Sequence, residues 1–226
     1  MAFPTTAELD TFGGSFPGSN WTGGGIVDPD NFAIVSGALR NTAGDNSVAS
    51  AYWSGATFGP NTEVFTDDII TVPAEDGDRD GLAGWTINHG SVDGYGLTVR
   101  DTLGQHQFRL QRFEAGVDTD IGTSPNQTVS IGDKFGLKVT WIGNRATLTS
   151  YVDTGSGWTP VEIFEDTADP FTTGVANIGL YNWEDKDGDQ PGVGNFGGGA
   201  VVSGPTTQAR VGRRTGIGGG IYGGRR

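Results

Sequence analysis

The sequence predicts an all-β fold, a two-sheet antiparallel jelly-roll sandwich followed by an extended basic Gly/Arg-rich C-terminal arm. Three observations carry this expectation. Short runs rich in β-branched and aromatic residues succeed one another along most of the chain. Gly, Asp and Asn turn chemistry separates them, and no window of helical period competes with them. Several runs alternate apolar with polar side chains, which marks antiparallel strands with one wet face rather than a buried parallel sheet.

The runs follow in order. "AIVSGALR" (33–40), "SVASAYW" (47–53), "TEVFTDDIITV" (62–72), "GLAGWTINH" (81–89) and "YGLTVR" (95–100) come first. "HQFRLQRF" (106–113) sets Phe108 and Leu110 opposite Arg109 and Gln111, and "EAGVD" after it is a tight turn. "FGLKVTWIG" (135–143) puts Phe135, Leu137, Val139 and Trp141 on one face with Lys138 and Thr140 on the other. The hairpin turn "GNR" leads to "RATLTSYVD" (145–153), then "WTPVEIFE" (158–165) and "ANIGLY" (176–181). The strand pattern stops at about residue 203, so residues 1–203 form the sandwich domain and residues 204–226 the arm.

Composition bounds what such a chain does. At 226 residues it suits one all-β domain, and folding at this length removes about 70% of the unfolded surface from water. With no cysteine, disulfides and thiolate metal sites are excluded. The opening "MAFPTTAELD" lacks the basic and apolar regions of a signal peptide, and nothing approaches the ~18 apolar residues of a membrane span. Synthesis in the cytoplasm with no secretion signal is the expectation. Net charge is -13, but the five arginines of residues 204–226 face no acid there, so the body is more acidic still. Such a body repels nucleic acid and anionic membrane and suits neutral ligands, cations or basic partners.

The order of the runs resembles the concanavalin A-like lectin/glucanase jelly roll, including its laminin-G-like relatives. The residues that carry the resemblance are "DTFGGSF…NW" (10–21), "SGALR", "AYW", "TEVFTDDIITVPAEDGDRDGLAGW", "DGYGLTVR", "FGLKVTWIGNRATLTSYVDTGSGWTPVE" and the closing "VANIGLYNWED". They span residues 7 to about 203 and contain no diagnostic catalytic word, so the resemblance specifies fold better than function. It implies a superfamily of sugar-binding lectins, glucanases and adhesive modules of cell surfaces and virus particles.

The glucanase branch uses Glu-x-Asp-x-x-Glu on one strand, because its chemistry needs two neighbouring carboxylates in different protonation states. That word is absent here. Glu63 and Asp67 share a strand face but stand about 13 Å apart. Asp118 and Asp120 in "VDTDIG" are about 6.6 Å apart and fit a solvated hairpin edge. His89 and His106 lack a G-x-S-x-G elbow and fit surface or groove-lining rings. No catalytic residue is expected.

Two clusters have calcium-loop spacing. "DGDRDG" offers Asp76, Asp78 and Asp80 as alternating oxygen ligands, but Ile87 stands where an EF-hand places its bidentate Glu. "EDKDGD" offers Asp185, Asp187 and Asp189. Both also fit acidic β-turns, and calcium is the only cofactor the sequence raises.

A neutral glycan needs an aromatic platform with hydrogen-bonding groups beside it. Tyr181, Asn182 and Trp183, with Asn88 and His89 from another strand end, are the candidates. Trp53, Trp85 and Trp141 fit the core better.

In the arm, Arg210, Arg213, Arg214, Arg225 and Arg226 suit carboxylates on a partner, with Ile217, Ile221 and Tyr222 as small anchors. A solubilising end or a nonspecific polyanion binder remains open. An adhesive-type sandwich, no secretion signal and a docking arm together lead to the expectation of a non-enzymatic bacteriophage virion protein. It would be a minor tail or capsid-decorating subunit attached to other virion proteins as a homo-oligomer, its jelly roll turned outward to host glycan. Neither a nucleic-acid partner nor membrane insertion is expected. The alternative is a carbohydrate-active enzyme or a free carbohydrate-binding lectin module.

Overall fold

Alternation of apolar and polar residues sorts the strands into layers. The computed structural model describes residues 2–16, 18–23, 31–42, 47–67, 82–88, 93–101, 105–171, 176–184 and 192–201. The first strands are β1 (Glu8–Asp10), β2 (Trp21–Gly23), β3 (Phe32–Val35), β4 (Ala38–Asn41), β5 (Ser47–Trp53) and β6 (Thr62–Thr66). There follow β7 (Leu82–Asn88), β8 (Gly94–Asp101), β9 (His106–Glu114), β10 (Val117–Ile121) and β11 (Asn126–Gln127). The last are β12 (Lys134–Ile142), β13 (Arg145–Asp153), β14 (Thr159–Asp166), β15 (Asn177–Glu184), β16 (Gly192–Val193) and β17 (Phe196–Ala200).

Antiparallel pairing builds two main sheets. The smaller runs β1-β17-β6-β12-β13-β14, and the larger runs β10-β9-β8-β7-β15-β5-β2 with β11 paired to β9. A third, small sheet runs β16-β4-β3. Hairpins supply β7 to β10 and β12 to β14, whereas β15 inserts between β5 and β7, and β17 between β1 and β6. Chain segments far apart in sequence thus become neighbours, as in a jelly roll.

The core lies between the sheets. Phe135, Leu137 and Val139 of β12 and Val64 of β6 meet Leu97, Val99, Phe108, Leu110, Ile178 and Leu180 of the larger sheet, all essentially without solvent exposure. Each such side chain contributes about 1.5–3 kcal/mol by leaving water. Trp53 is buried as expected, and Trp141 packs partly buried against the core.

Polar contacts close one margin of the sandwich. Asp166 at the end of β14 accepts Tyr95 Oη at 2.7 Å and Arg112 Nη1 at 3.0 Å, and Arg112 lies 4.7 Å from the centre of the Phe171 ring. Burial, followed by the hydrogen bond and the charge of Asp166, pushes the Tyr95 hydroxyl above its usual range.

Several elements differ from the sequence expectation. The run 33–40 is a hairpin, β3 and β4, because Ser36 and Gly37 both take positive φ (54° and 80°), as a tight reversing turn requires. The run 62–72 forms β6 only as far as Thr66, and residues 68–72 lie outside the described set. β17, "FGGGA", was hidden by its glycines. A Cβ at Gly197 would stand 2.4 Å from the Phe65 ring and one at Gly198 2.4 Å from the Glu63 carbonyl, so close packing demands the missing side chains. Of the surface or groove-lining placements expected for His106, the surface one does not hold, since the residue is 6% exposed on the core-facing side of β9. The arm, residues 204–226, lies outside the described residues.

Candidate functional site

The face of the larger sheet turned away from the core carries a connected polar network. Strand alternation dictates its members: with Phe108 and Leu110 inside, Gln107, Arg109 and Gln111 fall on the opposite face, and with Leu97 and Val99 inside, so does Thr98. Register does the rest. Tyr181 stands opposite Gly84, Gly84 opposite Thr98, and Thr98 opposite Arg109, while Gly96 is opposite Gln111. Glycine at two of these positions leaves long side chains room to cross the strands.

Gln111 is the hub. Its Oε1 accepts Tyr181 Oη at 2.8 Å and the Thr98 hydroxyl, which also contacts Tyr181 Oη. Its Nε2 donates to Asp118 Oδ2 and to Asp120 Oδ1, each at 3.0 Å. Asp120 also receives Arg109 Nη1 at 2.9 Å, and Arg109 Nε donates to Gln107 Oε1 at 2.7 Å. Thr98 and Gln111 are buried, Tyr181 and Arg109 half-buried, and Asp118 and Asp120 exposed. A buried amide floor therefore holds two solvent-facing carboxylates and a guanidinium in fixed relation. The Tyr181 ring also meets Phe113 edge-on, with centroids 6.1 Å apart.

Electrostatics follow from this placement. Burial, then the charges of Asp118 and Asp120, pushes the Tyr181 hydroxyl well above the ordinary tyrosine range, against a smaller opposing effect of Arg109. The phenol stays protonated and acts as a donor. Asp118 and Asp120 accept, Arg109 donates, and the face offers both halves of the hydrogen bonding that a polyhydroxylated ligand needs.

No protein-family model matches the chain, and no curated protein is similar to it in sequence. Solved structures are similar in fold. The carbohydrate recognition domain of Emp47p aligns with a TM-score of 0.57 at 16% identity, over 86% of this chain and 95% of that one. The exoplasmic/lumenal domain of VIP36, in a Ca2+/Man3GlcNAc-bound form, aligns at 0.52 and 13%, over 83% and 86%. The CBM2 module of an evolved Dit from Lactobacillus casei BL23 phage J-1 aligns at 0.52 and 14%, over 85% and 93%. The fold is a lectin-like β-sandwich.

On this lectin-like frame the sequence-predicted residues divide. Of the expected sugar contacts, Tyr181 belongs to the network, with its hydroxyl turned into the floor. The backbones of Asn182 and Trp183 lie on β15, in register with Ala49 and Val48 of β5, and Asn88 ends β7 opposite Gly94. The side chains of those three residues, and His89 altogether, lie outside the described set. So do the calcium candidates Asp76, Asp78, Asp80, Asp185, Asp187 and Asp189, and the arm residues from Arg210 to Arg226. Among the described residues no group of three or more His, Asp or Glu is placed to hold a metal.

Asp118 and Asp120 stand exposed on the edge strand, as expected of a hairpin margin, but Gln111 ties both to the sheet face. Glu63 and Asp67 have separate structural partners: Glu63 is buried against Thr5 and Thr6, and Asp67 pairs with Lys134 at 3.3 Å. Sequence reasoning missed Gln111, Thr98 and Arg109. The signal available was the alternation of "HQFRLQRF", which marks Arg109 and Gln111 as one face without saying what lies beside them.

Proposed function

We propose that this chain is a non-enzymatic carbohydrate-binding module whose ligand lies on the outer face of the larger sheet, against Asp118, Asp120, Arg109 and Tyr181. The observation that carries this reading is the Gln111 hub, which holds two exposed carboxylates at 3.0 Å from one buried amide. Sugar hydroxyls donate to carboxylates and accept from guanidinium, and a prearranged set of both lowers the ordering cost of binding. The likeness in fold to the carbohydrate recognition domain of Emp47p and to the CBM2 module of the phage Dit supports the same reading. The test is a glycan array and calorimetry with neutral oligosaccharides, using the full chain and an Asp118→Ala/Asp120→Ala variant. Binding by the chain and at least a tenfold loss in the variant, with unchanged circular dichroism, is the expected result. Equal binding by both removes this face from consideration.

A second reading concerns where the module works. The likeness to a phage Dit module, joined to the basic run 204–226 on an acidic body, supports a subunit of a virus particle docked through that run. Arginines there pair with carboxylates on another virion protein while the sandwich meets host glycan. Truncation after Ser203 separates the two roles: incorporation into particles falls while glycan binding persists. Undiminished incorporation overturns the docking role.

A further inference from the structure

The outer face of the smaller sheet holds a slot filled by the chain's own N-terminal segment. Glu63 on β6 is fully buried on that face, and its Oε1 receives Thr5 N at 2.5 Å, Thr6 N at 2.7 Å, Thr6 Oγ1 at 2.9 Å and Thr5 Oγ1 at 3.1 Å. Its Oε2 is equally buried and has no hydrogen-bond partner among the described residues. Nearby, the Phe3 ring stacks on Tyr151 with centroids 4.0 Å apart and planes within 2°, and meets Trp158 edge-on at 4.9 Å. The slot is cut by glycine. A Cβ at Gly136 would come 2.3 Å from the Phe3 ring. Beyond the clamp, β1 adds to the sheet edge through β17, with Glu8 opposite Gly197.

A carboxylate clamp on consecutive backbone amides, an aromatic box for one ring and an edge that accepts a strand are the parts of a peptide-binding groove. The connection out of the groove is strained. Phe12 takes φ of 50°, a left-handed conformation that costs a bulky residue about 1–2 kcal/mol, and Gly13 and Gly14 follow it. Space around Gly14 is open. A strained connector favours exchange of the segment between identical chains, because the contacts in the groove are the same in either arrangement.

We propose that residues 2–12 are exchanged between two copies of this chain, each filling the other's Glu63–Gly136 slot. Opening the turn at Phe12 relieves its backbone, the segment crosses to the partner, and the clamp, the aromatic box and the buried contact of the Phe12 ring with Trp21 re-form there. The Trp21 Nε1 to Asp10 Oδ2 hydrogen bond, 2.6 Å within one chain, then spans the two copies. The exchanged surface lies on the opposite sheet from the ligand face, so a dimer made this way leaves both ligand faces free.

The experiment measures the mass of the full chain by sedimentation over a range of concentrations, beside a variant lacking Gly13 and Gly14. Shortening the connector keeps the segment from its own slot, and the dimer fraction is expected to rise at least tenfold over the full chain. A monomeric variant with intact β-sheet circular dichroism overturns the proposal. Should the deletion unfold the chain, a fluorescein-labelled peptide of residues 2–12, warmed with the full chain, decides. Saturable binding that is lost in Gly136→Leu supports exchange, and absence of binding overturns it.

Discussion

Tyr181 on β15 donates its hydroxyl to Gln111 on β9 at 2.8 Å, across the two strands that separate them in the sheet. Four strands of the outer face of the larger sheet are thereby connected through one buried amide, since Thr98 of β8 and Asp118 and Asp120 of β10 share it.

Tyr181→Phe tests that connection. The ring keeps its place against Phe113, and the Gln111 carbonyl loses one of its two donors while keeping Thr98, so the cost is that of a single hydrogen bond, about 0.5–1.5 kcal/mol. Urea unfolding is expected to show a lower midpoint with an unchanged slope. Glycan affinity is expected to fall less than in Asp118→Ala/Asp120→Ala, because Tyr181 acts by holding Gln111 in place.

Alkaline pH gives a second test. Burial raises the hydroxyls of Tyr95, Tyr151 and Tyr181 above the unfolded value of 10.0, with Asp166, Glu63 and the Asp118/Asp120 pair respectively adding to the effect. The folded state therefore holds these protons longer than the unfolded state. Stability is fully present below pH 10 and falls as pH rises above it, since the unfolded chain alone then releases protons. Absorbance at ~295 nm, which follows tyrosinate, is expected to show Tyr95 and Tyr181 ionising together with loss of near-ultraviolet dichroism, not before it. Early, separate ionisation of Tyr181 contradicts the buried network.

Asp166→Ala removes the shared acceptor of Tyr95 and Arg112 at the closed margin of the sandwich. Breaking a buried ion pair from one side costs about 3–5 kcal/mol, and this one falls below that range because Arg112 keeps Glu114 at 3.7 Å and Asp169 at 3.9 Å. Chemical unfolding measures it. The loss is expected to change little with added salt, because screening acts weakly on buried pairs.

Much of the sandwich was legible in the sequence because side-chain alternation and burial are the same fact seen twice. Phe135, Leu137 and Val139 are alternate in the sequence and buried in the core. The Ser36–Gly37 turn was missed because serine is a poor sign of positive φ, and β17 because its three consecutive glycines present no apolar face. The polar network of the outer face was only half visible. Tyr181 stood out as an aromatic beside polar residues, whereas Gln111 and Thr98 become partners through strand order, which pairing across β7 and β8 decides and local pattern does not. The spacing of Glu63 from Asp67 sets it aside for catalysis, and that spacing carries no sign of the segment nearly sixty residues away in the chain that covers it.

Gly198→Ala tests the close approach of β17 to β6. The new Cβ meets the Glu63 carbonyl at 2.4 Å, a backbone atom unable to turn aside, and φ of 153° is strained for alanine. Overpacking of this kind costs about 1–3 kcal/mol, to which the backbone adds. A thermal midpoint lower by several degrees is the expected readout, whereas Gly132→Ala, with open space around its Cβ, isolates the cost of positive φ alone.

Glu63→Ala separates local from global roles of the N-terminal segment. The change removes the common acceptor of four donors on Thr5 and Thr6, hydrogen bonds to a charged group worth about 1.5–3 kcal/mol each while they stay dry. The full sum is not expected, because the segment can detach and water then satisfies the donors. The measured loss is bounded by the free energy that docks residues 2–7 on the sheet. Hydrogen exchange distinguishes the cases: Thr5 and Thr6 amides are expected to lose protection while the Leu137 amide in β12 keeps it. Loss at all three sites together means that the segment and the core unfold as one unit, and segment exchange between copies then requires opening the whole sandwich.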